Sequence, residues 1–200
     1  MDREINSKVV KELREKTGAG MMACKKALQE SNGDLIKAAE ALRQKGLALT
    51  DKKSSRTTSE GLIESYIHTG QQLGVLVEVQ CETDFVARSA AFGSLTKDIA
   101  MQIAASPLVK YVSMDKIPES LIEKEKEIEL GKEDLVNKPL EIKEKIVAGR
   151  VEKLLKTQIL LEQPFIRDPN VTIDELIKKS IALLGENIRV GRFVRVELGE

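Results

Sequence analysis

Aromatic residues and metal-binding residues are scarce in this sequence. It contains no tryptophan, two tyrosines and four phenylalanines, together with one histidine and two cysteines. Two cysteines are too few for a disulfide framework, and a zinc site would need residues scattered along the chain. A catalytic triad would depend on His68, which no nucleophile elbow accompanies, and the sequence has no Gly-rich phosphate loop. The composition therefore predicts a protein that is not an enzyme and has no cofactor and no metal.

A charge surplus and long apolar runs are also absent. The 32 basic side chains are balanced by 32 acidic ones, giving a formal net charge of +0 at pH 7. Because binding to phosphates by bulk charge requires a basic surplus, the balance argues against a nucleic-acid partner. No apolar run approaches the roughly 20 residues of a membrane-spanning helix, so no membrane association is expected. The first residues lack the pattern of a secretory signal or transit peptide, so we expect the protein to stay where it is made.

Apolar residues recur at helical spacing three times near the start of the chain. A glycine-containing break at 17–20 separates the first stripe from the second, and Gly33 closes the second. Asp34 is a natural N-cap for the third stripe, which we expect to end at Gly46. The pattern predicts a three-helix module over residues 1–49.

Residues 50–60 contain no apolar side chain, which predicts a linker. Three basic residues in this segment, Lys52, Lys53 and Arg56, could touch RNA. No aromatic residue is interleaved with them for base stacking, so solvated linker positions are the favoured interpretation. The linker separates the first module from a second predicted domain over residues 61–200.

The second domain combines strand and helix patterns. Two β-rich runs at 62–68 and 74–80 predict a hairpin. A third strand is expected at the end of the chain, with one apolar face made of Ile188, Val190, Val194, Val196 and Leu198. Four helices are expected between the hairpin and this strand, at 85–105, 119–130, 140–161 and 173–184. This arrangement predicts an α+β fold whose small antiparallel sheet of about three strands is packed by helices.

The segment around Phe85 joins a predicted strand to a predicted helix, a position at which scaffolds often present functional residues. Phe85 precedes Phe92 by seven residues, so spacing alone favours a place in the buried stripe of that helix. Thr83 has an ordinary interpretation as an N-cap, and Asp84 as a partner of the helix dipole.

An enzyme built on Cys81, with His68 nearby in sequence, is the rival functional class. A reactive thiolate needs electropositive surroundings, and the neighbouring Glu82 and Asp84 supply the opposite charge. The residue pattern therefore disfavours this reading.

Two adjacent methionines, Met21 and Met22, point about 100° apart on the predicted second helix. Methionine suits an adaptable protein-binding surface, and it also fills gaps in small cores, so the pattern leaves both roles open. Cys24 is expected in the core of the module, and Arg14 by its position alone is a solvated charge.

Several stretches of the chain resemble the elongation factor Ts family, the nucleotide-exchange partners of the translational GTPase elongation factor Tu. They lie in family order and are residues 13–22 with 24–28, 81–87, 161–165, and 185–188 followed by Arg192-Phe193. Ala23 and Gly191 depart from the family pattern, which commonly has an acidic residue and an arginine there.

The resemblance implies a ubiquitin-associated-like three-helix module, a linker and an α+β core. It also implies that the protein promotes GDP release from elongation factor Tu. The segment Thr83, Asp84, Phe85 and Val86 would enter the GTPase near its magnesium site, with Phe85 as a wedge that loosens the metal and phosphate. Arg14, Met21 and Met22 would hold another face of the GTPase.

The short length resembles bacterial and plastid forms in which two chains pair. The resemblance therefore implies a homodimer that forms a 2:2 complex with the GTPase. It also implies a bacterial cytoplasm or a plastid stroma as the compartment.

Overall fold

The computed structural model describes residues 6–135 and 138–199, without the side chains of residues 47–49 and 51–52. Cα packing groups the chain into two units that interleave along the sequence. The first comprises Met1–Leu62, Val79–Thr96 and Glu175–Arg189, and the second comprises Ile63–Glu78, Lys97–Asp174 and Val190–Glu200. The predicted division into residues 1–49, 50–60 and 61–200 stays a prediction.

Three helices open the chain, α1 (Ser7–Thr17), α2 (Met21–Glu30) and α3 (Leu35–Lys53). Gly18 ends α1 with a left-handed φ of 69°, and the Asp34 carboxylate caps α3 by accepting hydrogen bonds from the N–H groups of Ile36 and Lys37. These caps satisfy backbone groups that a helix end leaves without partners. The buried core of the three helices consists of Val10, Leu13, Cys24, Ala27, Leu28 and Ala38.

The predicted end of the third helix at Gly46 is wrong, because α3 continues to Lys53. A Cβ placed at Gly46 would lie 3.4 Å from the Ala182 Cβ, so the Ala182 side chain packs beside α3 at this glycine. Thr50 is buried, and its hydroxyl donates to the Gly46 carbonyl. The first residues of the segment predicted as a linker are therefore helical.

The fold class is α+β, as predicted. The remaining elements are β1 (Glu60–Ile67), β2 (Leu73–Cys81), α4 (Asp84–Ala87), α5 (Ala90–Ala105), α6 (Glu119–Leu130), α7 (Leu140–Lys156), β3 (Pro164–Phe165), β4 (Asp168–Thr172), α8 (Ile173–Leu184) and β5 (Arg189–Glu197). Short 3₁₀ turns occupy Met114–Lys116 and Glu133–Leu135. The predicted hairpin and third strand form one antiparallel sheet in the order β1-β2-β5, and β3 pairs with β4 in a separate two-stranded sheet.

The predicted apolar face of β5 changes sides within the strand. Ile188 and Val190 are buried, whereas Val194, Val196 and Leu198 are exposed. From Gly191 onward the odd-numbered residues are the more buried ones, and such a change of phase is what one extra residue in a strand produces. The five residues therefore do not share one buried face, as the simple alternation predicted.

The helix predicted over 85–105 is two helices, α4 and α5. The N–H of Phe92 donates to the Ser89 hydroxyl at 3.2 Å, the geometry of an N-cap that begins a new helix. The predicted stripe of α5 is confirmed, because Phe92, Leu95, Ile99 and Ile103 are all buried.

Helix α7 ends at Lys156, five residues before its predicted end. The Gln163 side-chain amide donates to the carbonyls of Lys156, Thr157 and Ile159 at 2.8–3.2 Å. Carbonyls at a helix terminus lack partners within the helix, and this glutamine supplies them. Within the described part of the chain, no helix has the length and apolarity needed to cross a membrane.

Gly61 and Gly149 offer a matched test of backbone constraint. Gly61 in β1 has a φ of 151°, and an added Cβ would lie 2.2 Å from the Val79 carbonyl oxygen. We expect Gly61→Ala to lower the free energy of unfolding by more than about 2 kcal/mol, measured by urea denaturation. Gly149 lies in α7, and apart from its chain neighbours and the backbone of α7 no described atom is within 4 Å of an added Cβ. Gly149→Ala should raise the free energy of unfolding by roughly 0.5–1 kcal/mol, and equal effects of the two substitutions would contradict the argument.

Candidate partner-binding site

The turn that follows β2 places Phe85 in solvent. Thr83 caps the one-turn helix α4, because its hydroxyl accepts a hydrogen bond from the Val86 N–H at 3.4 Å. Val86 and Ala87 are buried, while the Phe85 side chain is 86% exposed. The core position that spacing favoured for Phe85 is wrong, because the chain leaves the helix between α4 and α5. Seven-residue spacing predicts a shared face only along one uninterrupted helix.

The four residues of the predicted contact segment have different surroundings. Thr83, Asp84 and Phe85 are exposed, and Val86 is in the interior. Asp84 forms an ion pair with Arg88 at 3.2 Å on the surface, where such pairs contribute little stability. The surface part of the segment is therefore Thr83–Phe85, and Val86 anchors α4 from inside.

Glu186 holds this turn through three hydrogen bonds. Its Oε2 accepts from the main-chain N–H groups of Glu82 and Thr83 at 3.1 and 3.0 Å, and its Oε1 accepts from the Thr83 hydroxyl at 2.7 Å. Gly185, with a φ of 80°, follows α8 and donates its N–H to the Ile181 carbonyl, which ends the helix just before Glu186. Sequence reasoning assigned Glu186 no role, and its only signal was the place of residues 185–188 among the family-like stretches.

Asn187 ties a third segment to the same turn. Its side chain is buried, and its amide donates to the carbonyls of Ser54 and Arg56 at 3.3 and 2.8 Å. The main-chain N–H of Asn187 donates to Glu82 Oε1 at 2.6 Å, and the Arg56 guanidinium lies 3.5 Å from Glu82 Oε2. The segment after α3, the turn after β2 and the segment after α8 thus share one hydrogen-bonded network.

Two basic residues near the end of α3 also contact this hydrogen-bonded network. Lys53 donates to the Gly185 carbonyl, and Arg56 pairs with Glu82. Both side chains therefore make intramolecular contacts, where the sequence pattern favoured plain solvation. The side chain of Lys52 lies outside the described residues.

Cys81 has a buried thiol that is poorly suited to act as a nucleophile. It donates to the Thr83 carbonyl at 3.1 Å. Burial raises the pKa of this thiol, and the nearby charge of Glu186 raises it further. The thiolate, which is the reactive form, is therefore disfavoured. Among the residues that the structure describes, no cluster of three or more histidine, cysteine or acidic side chains could hold a metal ion.

The predicted contact residues of the first three helices, Arg14 on α1 and the methionine pair at the start of α2, are all exposed. Met21 is 47% exposed and Met22 is 76% exposed, so neither is a core residue. Met22 borders an open depression lined also by Ala23, Lys25, Lys26 and Gln29. Cys24 is fully buried, as predicted.

Comparison with known proteins identifies the family to which this chain is similar. A family model described as Elongation factor TS matches residues 4–200. The chain is 66% identical over 200 residues to the chloroplastic elongation factor Ts of Rhodomonas salina, covering 100% of this chain and 91% of that protein. It is 64% identical over 197 residues to the elongation factor Ts of Synechococcus elongatus, covering 98% and 89%. Elongation factor Ts of Rippkaea orientalis is also 64% identical over 197 residues, with 98% and 79% covered.

These matches define a protein of translation elongation. The chain belongs to the elongation factor Ts family, as the residue pattern indicated. Its similar relatives include plastid and cyanobacterial forms.

The buried Cys81 thiol gives a test of the local electrostatics. We expect iodoacetamide at pH 8 to alkylate Cys81 at least about tenfold more slowly in the folded protein than in urea, measured by peptide mass spectrometry. The contribution of this protonated thiol to stability is full below the pKa of an unfolded cysteine, about 8.5, and is lost as pH rises through the higher folded pKa.

An exposed thiol introduced by Ser120→Cys is the control for reagent activity, because Ser120 lies at the surface of α6. In the folded variant this introduced thiol should react at least about tenfold faster than Cys81. Equal alkylation rates for the two thiols in the folded variant would contradict the argument.

Proposed function

We propose that this protein is a guanine-nucleotide exchange factor for elongation factor Tu. It binds the GDP-bound GTPase, disturbs the magnesium and phosphate site, and promotes GDP release so that GTP can bind. The observation that supports this proposal is the 86% exposure of Phe85 on a turn whose backbone is held by hydrogen bonds. A large aromatic side chain kept in water on a fixed backbone suits an interface, where aromatic anchors carry much of the binding energy.

Exchange of this kind requires no chemical step by the protein. The exchange factor and GDP bind the GTPase antagonistically, so each weakens the other by one coupling free energy. Thr83, Asp84 and Phe85 form the tip that enters the GTPase, with Phe85 as the wedge, while Val86 fixes α4 from the interior. By the same reciprocity, GTP binding then favours dissociation of the exchange factor.

The N-terminal module supplies a second contact. We propose that Arg14, Met21 and Met22 hold another face of the GTPase. Exposed methionine side chains can adapt to an apolar partner surface, which fits the observed exposure of both residues. In this proposal residues 1–49 attach the partner, residues 50–60 join the modules, and residues 61–200 carry exchange and pairing.

The role of Phe85 is tested by Phe85→Ala. Because the side chain is exposed, we expect the free energy of unfolding to change by no more than about 0.5 kcal/mol. Loss of an interface hot spot of about 2 kcal/mol from the release barrier should slow stimulated GDP release some thirtyfold. Thermal melting and stopped-flow release of fluorescent GDP from elongation factor Tu measure the two effects.

Two further variants make the Phe85 result specific. Met22→Ala should raise the concentration for half-maximal stimulation severalfold and leave the maximal rate unchanged, since it removes only attachment. Leu140→Ala removes an apolar side chain of similar exposure from α7 and should change neither quantity. A lowered melting temperature for Phe85→Ala with release intact per folded molecule would refute the wedge.

We also propose that two copies of this chain pair through one face of the sheet. Six apolar residues on this sheet face are 53–76% exposed: Ile63, Ile67, Leu76, Val194, Val196 and Leu198. Register places them together, because an added Cβ at Gly74 would contact Ile67 and the Leu198 N–H donates to the Gln72 carbonyl.

A second copy is the occupant that fits this face best. A sheet face of aliphatic side chains is complementary to itself, and a two-fold axis brings the same patch from both chains together. A dimer with one tip in each chain binds two GTPase molecules, which gives a 2:2 complex.

Val194→Lys tests the pairing. We expect the unchanged protein to sediment at twice its chain mass of 22.2 kDa at tens of micromolar, and Val194→Lys to sediment as a monomer. A lysine at the centre of an apolar interface would be buried without a partner, which is strongly unfavourable. The control, Leu140→Lys, places the same charge at an exposed apolar site outside the sheet and should remain dimeric. A monomeric unchanged protein would refute the proposal.

The names of the relatives support a proposal for the compartment. We propose that the protein acts in a bacterial cytoplasm or a plastid stroma, because its similar relatives are cyanobacterial proteins and a protein described as chloroplastic. Fractionation of the source cells, with detection by a specific antibody, tests this assignment.

A further inference from the structure

We infer that Glu186 is a positioning residue that fixes the backbone from which Phe85 projects. The inference rests on the proposed function, because the direction of Phe85 matters to activity only if Phe85 contacts the GTPase. Glu186 would act through Phe85 and would make no contact with the GTPase itself.

Both oxygens of the Glu186 carboxylate accept hydrogen bonds from the turn between β2 and α4. One accepts two consecutive main-chain N–H groups, those of Glu82 and Thr83, and the other accepts the Thr83 hydroxyl. Hydrogen bonds to a charged acceptor are stronger than those between neutral groups. The two main-chain N–H groups immediately before α4 are therefore both held by one side chain.

The Thr83 hydroxyl extends this constraint into α4. A hydroxyl has one proton and two lone pairs, so when its proton is directed to Glu186 its lone pairs remain for an N–H donor. The Val86 N–H is that donor. A helix of four residues has no stability of its own and depends on such capping. Glu186 therefore fixes the orientation of the residue that caps the helix carrying Phe85.

The residues immediately before and after Glu186 are themselves held in place. Gly185 closes α8 on one side of it, and on the other side Asn187 is only 2% exposed and bound to the carbonyls of Ser54 and Arg56. Phe85, by contrast, is 86% exposed, so little packing within this chain determines its direction. The backbone of the turn must supply that direction, and Glu186 holds the backbone.

Glu186→Gln is the decisive variant, because glutamine has the same size and one fewer acceptor oxygen. We expect the maximal rate of stimulated GDP release to fall about tenfold, while the concentration for half-maximal stimulation changes less than about twofold. Introduced into the Phe85→Ala variant, the same substitution should slow release no further, because a positioning residue has nothing left to position. Substitution of a residue of merely structural importance would slow GDP release by the same factor with and without Phe85→Ala.

Glu152→Gln is the control, since it alters an exposed carboxylate paired with Lys156 in α7. It should change neither the maximal rate nor the concentration for half-maximal stimulation.

Amide hydrogen exchange measured by NMR tests the contact without the GTPase. Glu186→Gln should accelerate exchange of the Glu82 and Thr83 amides at least about fivefold and leave the buried Val79 of β2 unchanged. Unchanged amide exchange, intact release in Glu186→Gln, or an equal loss in both backgrounds would overturn the positioning role. A Phe85→Ala variant with normal release would instead overturn the wedge, and the positioning role with it.

Discussion

The candidate site depends on hydrogen bonds between segments about a hundred residues apart. Thr83 and Glu186, which are separated by 103 positions, meet because α8 ends where β2 ends. An exposed aromatic tip gains nothing from burial in its own chain, so its order comes from the polar contacts of its backbone. Closing so long a loop costs entropy that grows only slowly with loop length, and burial of the apolar stripe of α8, Ile173, Ile177 and Ile181, helps to offset that cost.

The exposed apolar residues of the turn after β2 and of the sheet differ in arrangement, and the difference separates their proposed roles. Phe85 is a single side chain on a one-turn helix, suited to entering a narrow site on a partner. The exposed apolar residues of the sheet instead lie side by side on several strands, an arrangement suited to covering an equivalent face. The surface ion pairs contribute little to stability, because exposed charges are already well solvated. Stability comes from the buried helix stripes, such as that of α5.

Local patterns predict an element well where its surroundings stay the same along its whole length. The buried stripe of α5, the Asp34 cap and the hairpin strands agree with their predictions. Predictions failed where a local pattern continued across a break. Phe85 has the spacing of a core residue, yet the chain leaves the helix before α5. The β5 alternation similarly changes phase near Gly191. The opposite error occurred at Gly46, a predicted helix end that lies inside α3, where the Ala182 side chain packs beside it.

The sequence by itself determined the α+β class, the family and the three helices at the start of the chain, because periodicity and contiguous motifs are local properties. Only the tertiary structure decided that Phe85 points into water, that Val86 anchors the turn and that Glu186 and Asn187 hold it. Those features depend on the direction in which a helix ends and on contacts between residues far apart in the chain. A short stretch of sequence shows neither the direction of a helix end nor a contact with a distant residue. The same short stretch is compatible with several local geometries, and contacts with distant groups select one of them.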